Sequence, residues 1–374
     1  MRGPLLQHPC ATARIRSKLV GLRRFFLITL LAYLAISCGT RHGRDADVRP
    51  IGKPMSIAAP LGLPPIPIPA DNPPTAETIA LGSRLFNDVK LSSDNTLSCA
   101  SCHNPALEFT DGLRVGVGVR AQTGKRNTPT ILNAAYNSLQ FWDGRAPSLE
   151  DQSGGPIANP IEMAQPHEGM VAKLNQDASY RHDFDAAFGP GPITIRKAEM
   201  AIASFERTLI SGNSAFDRYQ FGGDKTAMSA AAIRGLASFT DKSRGNCSTC
   251  HTIDKDYALF TDGKFHNLGA GMNAEGELVD LGRALETGND ADRGAFRTPT
   301  LRNVARTAPY MHDGSKKTLK EVVDFYAGGG NSNPNLDKEM KELKLSGQDR
   351  ADLVAFLEAL TCEPPANAGT AAGR

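Results

Sequence analysis

Two copies of one pentapeptide limit what this chain can fold into more than any other feature of its sequence. They read Cys99-Ala-Ser-Cys102-His103 and Cys247-Ser-Thr-Cys250-His251. Two cysteines about one helical turn apart can reach both vinyl groups on one edge of a porphyrin, and the adjacent histidine can then bind the iron. The pattern predicts two covalently attached haem c groups, called haem 1 and haem 2 in chain order, with His103 and His251 as proximal ligands.

Other uses of paired cysteines explain these motifs less well. A thioredoxin-like redox motif needs no histidine after its second cysteine. A zinc site built from both pairs would join residues 148 positions apart and leave both histidines without a role. Of the other cysteines, Cys10 and Cys38 lie near the N-terminus, and Cys362 stands alone near the C-terminus. We expect Cys362 to be a free thiol without a function.

The two halves of the chain resemble each other beyond the haem motifs. Phe109-Thr110-Asp111-Gly112 follows the first motif and Phe260-Thr261-Asp262-Gly263 follows the second. Further residues recur at a constant offset of 170: Thr128-Pro129-Thr130, Asn133, Asp143-Gly144 and Leu149 return as Thr298-Pro299-Thr300, Asn303, Asp313-Gly314 and Leu319. In this register the only tryptophan, Trp142, corresponds to His312. The repeat predicts two related haem domains.

Helical patterns dominate the rest of the chain. Apolar residues recur at helical spacing before each haem motif, and Ser346 is placed to cap a last helix. No alternating pattern predicts a strand. The expected fold is mainly α, with two cytochrome c-like haem domains related by internal duplication and few or no strands.

Length and charge set further bounds. The 374 residues suffice for two domains, expected at 75–225 and 226–362, before a disordered tail at 363–374. The net charge of +2 gives no reason to expect binding to nucleic acid.

The N-terminus has the features of an export signal. Several basic residues precede an apolar run at 25–37, which is shorter than the ~20 residues that span a bilayer. The run ends before Cys38, so residues 1–38 are predicted to be a signal peptide. The protein is expected in the periplasm, either secreted or anchored to the membrane by a lipid on Cys38. Residues 39–74 are rich in proline and are expected to form an extended linker.

The sixth ligand decides whether a haem iron transfers electrons or reacts with a small molecule. No His or Met lies between Asn104 and Trp142, which favours an open iron at haem 1. Gln152 and Glu162 are the nearby polar candidates for its distal pocket, because cleavage of a peroxide needs a group that accepts and returns a proton. Spacing alone leaves open that both are surface residues.

Haem 2 has several candidates for its sixth ligand, namely His266, Met272, Met311, His312 and Tyr326. Tyr326 shares one face of a predicted helix with apolar residues. A buried tyrosine usually finds an ordinary hydrogen-bond partner. It becomes a ligand only if a haem lies opposite.

From about residue 75 to 360 the sequence resembles the bacterial di-haem cytochrome c peroxidases and their MauG-type relatives. The resemblance rests on both haem motifs and on Arg126-Asn127-Thr128-Pro129-Thr130, Phe141-Trp142-Asp143-Gly144-Arg145, Asn159-Pro160-Ile161-Glu162-Met163 and Pro309-Tyr310-Met311-His312-Asp313-Gly314. It implies that Trp142 lies between the two haems. It also implies that Gln152 and Glu162 belong to the distal pocket of the peroxidatic haem.

The same resemblance implies a calcium ion and a dimer. Asn127, Thr307 and Pro309 match a Ca²⁺ site between the two domains. An amide side chain and backbone carbonyls are suitable oxygen ligands for such a hard cation. The family tends to form homodimers.

Two positions depart from the pattern common in these peroxidases. There, a loop histidine caps the peroxidatic haem until the other haem is reduced. The matching loop, 114–120, has no histidine, and Val117 stands at the matching position. Haem 1 is therefore expected to be open without reductive activation. At haem 2 the usual distal methionine position falls on Tyr326, a feature of MauG-type enzymes, which oxidise residues of a partner protein.

Two functions remain as hypotheses. The first is an exported di-haem peroxidase that reduces hydrogen peroxide with electrons from a cytochrome c, a cupredoxin or a side chain of a protein substrate. The second is a non-enzymatic di-haem electron-transfer cytochrome with two six-coordinate irons. The absence of a distal histidine at haem 1 favours the first.

Overall fold

The computed structural model describes residues 48–363 and Pro365. The predicted signal peptide with Cys38, the first part of the predicted linker and most of the predicted tail lie outside these residues. Within them the α-helices are α1 (Ala76–Asn87), α2 (Cys99–Cys102), α3 (Leu149–Ala158), α4 (His167–Gln176), α5 (Ala178–Phe188), α6 (Ile195–Glu206), α7 (Ala215–Gln220), α8 (Ala230–Thr240), α9 (Ala284–Thr287), α10 (Leu319–Ala327) and α11 (Gly347–Glu358).

Strand structure is limited to one small antiparallel pair. In the described part of the chain, β1 (Phe265–Asn267) pairs with β2 (Ala295–Arg297), and Phe265 lies opposite Arg297. Short 3₁₀ turns connect many of the helices. The prediction of a mainly helical fold with few strands is confirmed. No helix in the described residues is both long and apolar enough to cross a membrane.

Polar side chains cap the first and the last of the long helices, and the cap at Ser346 is the one that the sequence predicts. The Thr75 side chain accepts a hydrogen bond from the Thr78 backbone N–H and caps α1, which buries Leu81 and Leu85. Ser346 caps α11 in the same way through the Asp349 N–H. A polar cap of this kind satisfies backbone donors that the first turn of a helix leaves free.

The internal duplication is visible in how the helices pack. In the N-terminal half α1 packs on α6, and in the C-terminal half α8 packs on α11. Each pair crosses at a glycine: a side chain at Gly82 would collide with the Ala201 carbonyl, and one at Gly235 with the Asp352 carbonyl. The two crossings use equivalent residues, so the halves share one helix pair as their core.

Equivalent hydrogen bonds also join the two halves reciprocally. The Asn127 N–H donates to the His312 carbonyl at 2.7 Å, and the Arg297 N–H donates to the Trp142 carbonyl at 2.8 Å. Both pairs are related by the offset of 170 found in the sequence. Trp142 and His312 therefore occupy matching positions where the halves meet.

The Pro-rich segment is not the separate linker that the sequence predicts. Its described part, 48–74, is extended but packs along both halves. The Asn72 side chain is fully buried and donates to Glu150 Oε1 at 2.6 Å, while Leu63 belongs to the core. The composition of this segment does not predict these contacts, because an extended segment buries single residues at irregular spacing.

A buried ion pair links this segment to the C-terminal half. Arg302 and Asp217 are almost fully buried and form two hydrogen bonds, at 2.8 and 2.9 Å. The same guanidinium donates to the Gly62 carbonyl at 2.7 Å. The Ala258 carbonyl and the Cys362 Sγ accept the remaining hydrogen bonds of Arg302.

Replacing Asp217 with Asn should lower the free energy of unfolding by about 3–5 kcal/mol, because it leaves the buried Arg302 charge unpaired. Chemical denaturation of the haem-loaded protein measures this. Asp324→Asn is the matched control, since Asp324 pairs with the exposed Lys320 and such surface pairs contribute at most about 1 kcal/mol. Equal effects of the two variants would contradict the role given to the Arg302–Asp217 pair.

Candidate di-haem site

The first pentapeptide forms a short helix that presents its histidine ring in one orientation. In α2 the His103 backbone N–H donates to the Cys99 carbonyl at 2.8 Å. The His103 Nδ1 lies 3.1 Å from the Phe109 carbonyl. Burial lowers the pKa of His103, which keeps the imidazole neutral. A neutral ring held through Nδ1 has Nε2 free to bind a metal ion.

The second pentapeptide repeats this arrangement. It forms a 3₁₀ turn, Cys247–Thr249, and the Nδ1 of His251 lies 2.9 Å from the Phe260 carbonyl. Burial lowers the pKa of His251 as well. The four motif cysteines are free thiols. Each motif thus offers two thiols and one oriented imidazole, and these residues fit covalent haem c.

A large cavity in the C-terminal half contains the second motif. Cys247, Cys250 and His251 line it together with apolar residues from α10 and α11, including Val323 and Leu357. Apolar walls of this kind suit the face of a porphyrin. The cavity also reaches residues of the N-terminal half at the junction between the two halves.

The loop that matches the histidine-bearing loop of the peroxidases lies next to the first motif. The Val117 carbonyl is 3.9 Å from the Cys102 Sγ. The following residue packs tightly on the distal-pocket candidate, since a side chain at Gly118 would collide with the carbonyls of Ile161 and Glu162. The Val119 N–H donates to the Glu162 carbonyl at 2.8 Å. Val117 and Glu162 are therefore brought to one place, although 45 positions separate them.

Glu162 has the electrostatic character of a proton-accepting group. It is half-buried, and burial raises its pKa, against the opposing effects of Arg145 and of the hydrogen bond from Asn159 Nδ2 at 2.8 Å. Gln152 is half-buried on α3, the helix that leads into the turn containing Glu162, but in the described chain it is not hydrogen-bonded to Glu162. The structure thus gives more support to Glu162 than to Gln152.

Trp142 lies where the halves meet. Its indole N–H donates to the Asn127 carbonyl at 2.9 Å, and its ring lines the cavity of the second motif. The backbone carbonyl of Trp142 is held by Arg297 from the other half. The tryptophan is thereby fixed beside the haem 2 cavity.

The candidates for the sixth ligand of haem 2 differ in the contacts that their side chains already make. Both ring nitrogens of His266 are engaged, with Asp337 at 2.6 Å and Asp262 at 3.0 Å. His312 stacks on the Phe296 ring at a centroid distance of 3.6 Å. Among residues 48–363 the hydroxyl of Tyr326 has no hydrogen-bond partner, and Tyr326 lines the cavity.

Burial raises the pKa of Tyr326, so its hydroxyl is protonated in the haem-free chain. Met311 also lines the cavity, and Met272 is not among its lining residues. Tyr326 is therefore the candidate whose polar atom is most available to a haem iron.

The three predicted calcium ligands all line this same cavity. The Asn127 amide nitrogen donates to the Leu113 carbonyl at 2.9 Å, which leaves its Oδ1 as the acceptor atom for a cation. Thr307 and Pro309 offer backbone carbonyls. Oxygen donors from both halves thus lie at the junction.

Comparisons with known proteins identify the family. A family model described as di-haem cytochrome c peroxidase matches residues 76–226, and one described as cytochrome c matches residues 232–361. The chain is 42% identical over 302 residues to the methylamine utilization protein MauG of Methylorubrum extorquens, covering 80% of this chain and 83% of that protein. The chain belongs to the di-haem cytochrome c peroxidase family.

Other members of the di-haem cytochrome c peroxidase family agree with this assignment. The cytochrome-c peroxidase IdrP1 of Pseudomonas sp. strain SCT is 37% identical over 367 residues, covering 91% of this chain and 93% of that protein. The crystal structure of a MauG-like protein associated with microbial copper homeostasis has a TM-score of 0.72 and 35% identity, covering 81% of this chain and 95% of that one.

Membership in the di-haem cytochrome c peroxidase family confirms several predictions. The protein carries two covalently bound haem c groups and is an oxidoreductase of the peroxidase class, with hydrogen peroxide and a redox protein as partners. One residue of the site was missed by sequence reasoning. Arg297 lines the haem 2 cavity, and its place in the Arg-Thr-Pro-Thr segment, directly before the repeated Thr-Pro-Thr, was the only available signal.

Proposed function

We propose that this protein reduces hydrogen peroxide at haem 1 and stores or delivers electrons at haem 2. The overall reaction consumes two electrons and two protons for each H₂O₂ and yields two water molecules. The haem held by Cys99, Cys102 and His103 would supply an iron for binding peroxide and the electrons for its reduction. The chain's own residues must then move protons, hold the haems in place and connect them.

Glu162 is the residue proposed to move the proton. Its raised pKa lets it take a proton from the near oxygen of peroxide and return it to the departing oxygen. Gln152 is proposed to orient the peroxide by hydrogen bonding from the side of α3. Arg145 favours the carboxylate form of Glu162, which is the form present before the first proton transfer and after the second.

Trp142 is proposed to conduct electrons from haem 2 to haem 1. It is held from both halves, so its ring has one fixed position beside the haem 2 cavity. The electrons are proposed to come from a small cytochrome c or a cupredoxin.

The observation that carries this proposal is the valine-containing loop next to the first motif. Val117 cannot bind iron, and its carbonyl lies close to Cys102. Haem 1 should therefore accept peroxide in the fully oxidised protein. Stopped-flow mixing of the oxidised, haem-loaded protein with H₂O₂ tests this. We expect a fast change of the haem spectrum without prior reduction, whereas an electron-transfer cytochrome with two six-coordinate irons would not react.

A second candidate function is the oxidation of side chains on a partner protein, which is the activity that the resemblance to MauG-type enzymes implies. The availability of the Tyr326 hydroxyl in the haem 2 cavity favours it. An anionic oxygen ligand stabilises Fe(III) over Fe(II), so haem 2 would have a low potential and suit holding oxidising equivalents.

Replacing Tyr326 with Met should raise the midpoint potential of haem 2 by on the order of 0.1 V or more, since axial ligands move haem potentials over about 0.8 V. Spectroelectrochemical titration measures the change. Tyr310→Met is the matched control, because Tyr310 lines the same cavity. If both variants leave the potential of haem 2 where it was, Tyr326 is not its ligand.

Three further proposals accompany this function. Asn127, Thr307 and Pro309 bind Ca²⁺ at the junction of the halves. The protein acts in the periplasm after export by residues 1–38, with a lipid on Cys38 as one form of the mature N-terminus. Two chains form a homodimer. Metal analysis, mass spectrometry of the mature protein and analytical ultracentrifugation test these three points separately.

A further inference from the structure

Arg297 is a buried cation that has no anionic partner in the described chain. It is the last residue of β2, and only 8% of its surface is exposed. Its guanidinium donates to three neutral oxygens, the Phe141 carbonyl at 3.4 Å, Asn137 Oδ1 at 3.0 Å and the Thr298 carbonyl at 3.3 Å. No carboxylate of residues 48–363 forms an ion pair with it.

The other fully buried arginines of the described residues are paired. Arg207 forms two hydrogen bonds with Glu150, and Arg302 forms two with Asp217. Burying a charge is unfavourable unless a partner compensates it. Burial alone lowers the pKa of Arg297 to about 10, which still leaves it charged at neutral pH. An anion from outside the polypeptide is therefore needed.

The cavity shows where that anion comes from. Arg297 lines the same cavity as Cys247, Cys250 and His251, which attach and bind haem 2. A haem c group carries two propionates, and Nη2 of Arg297, which donates to no atom of the described residues, can donate a charge-assisted hydrogen bond to a carboxylate. We propose that Arg297 forms an ion pair with a propionate of haem 2.

This ion pair gives Arg297 a second role as a positioning residue. Its backbone N–H holds the Trp142 carbonyl at 2.8 Å, while its side chain holds the carboxylate edge of haem 2. One residue thus fixes the distance between haem 2 and the tryptophan. In the first half the equivalent position is Asn127, which has no charge. The arrangement is therefore specific to haem 2 and does not depend on the peroxide chemistry proposed at haem 1.

The test uses the haem-loaded protein and measures the midpoint potentials of both haems as a function of pH. In Arg297→Gln the haem 2 potential should fall, because a positive charge near the iron favours Fe(II). It should also become dependent on pH around neutrality, because the unpaired propionate then titrates. Arg297→Lys keeps the charge and should restore most of the potential. Arg234→Gln is the matched control, since it removes one positive charge from α8, where Arg234 is paired with Asp352.

The outcomes separate an ion pair from a purely structural role. A haem 2 potential and pH profile in Arg297→Gln equal to those of Arg234→Gln would overturn the proposal. So would equal potentials in Arg297→Gln and Arg297→Lys, or a shift confined to haem 1. If Arg297→Gln does not mature, resonance Raman of the unmodified protein across neutral pH decides: a propionate bending band of haem 2 that stays constant supports the ion pair, and a band that titrates near neutrality contradicts it. Peroxidase activity is not a readout here, so failure of the peroxide mechanism would leave this result intact.

Discussion

Replacing Glu162 with Gln should lower kcat for peroxide reduction by about 10²–10⁴-fold, the range for loss of a positioned proton-transfer group. The amide has the same shape as the carboxyl and can still accept the hydrogen bond from Asn159, so the turn at Glu162 should keep its structure. Only the ability to take a proton is removed. Steady-state assays with a reduced cytochrome c as donor measure the effect.

The pH profile of the same reaction gives an independent check. Glu162 must be deprotonated to accept the proton of peroxide, so activity should fall as pH falls through its pKa. Because burial raises this pKa, the loss should begin at a higher pH than for an ordinary glutamate. In Glu162→Gln this acid limb should be absent.

Glu168→Gln provides the control for the loss of a glutamate charge. Glu168 is exposed on α4. It should keep the activity and the pH profile of the unmodified protein. A kcat for Glu162→Gln equal to that of Glu168→Gln would show that another group transfers the proton.

Replacing Val117 with His should close haem 1 in the oxidised protein. The backbone of residue 117 lies near Cys102, so an imidazole there can reach the open side of the iron. If the added ligand occupies the iron 99% of the time, the apparent affinity for peroxide falls about 100-fold. Rapid mixing of the oxidised variant with H₂O₂ measures the change, and its spectrum should become low spin.

The control for this variant separates ligation from crowding. Val117→Phe introduces a ring of comparable size without a nitrogen atom, so haem 1 should remain high spin. A high-spin haem 1 in Val117→His would mean that the loop does not face the iron. A loss of reactivity in Val117→Phe as large as in Val117→His would mean that bulk alone closes the site.

The haem motifs, the internal repeat and several of the long helices could be predicted from sequence because each depends on local spacing. Ser346 caps α11 as expected. The sequence repeat matches Trp142 with His312, and in the structure the backbone carbonyls of these two residues accept equivalent hydrogen bonds. The two strands could not be predicted, because three residues are too few to show an alternating pattern. The sequence does not predict that the extended segment 48–74 packs on both halves, because proline-rich segments usually form linkers.

The finer features of the site depend on contacts between distant residues. Val117 and Glu162 meet because Gly118 allows a close approach to the Glu162 carbonyl, which no spacing rule shows. The sequence alone leaves His266 as a ligand candidate, but in the structure its two ring nitrogens lie within hydrogen-bond distance of Asp262 and Asp337. The sequence also cannot show that Arg297 has no carboxylate partner, because this depends on which distant residues surround it in the fold.

We propose that the two haems are unlike, one with an open iron beside Glu162 and one with Tyr326 as its ligand. Electron paramagnetic resonance of the fully oxidised, haem-loaded protein tests it most directly. We expect one high-spin ferric signal from haem 1 and one low-spin signal from haem 2. Two low-spin signals without a high-spin component would contradict it.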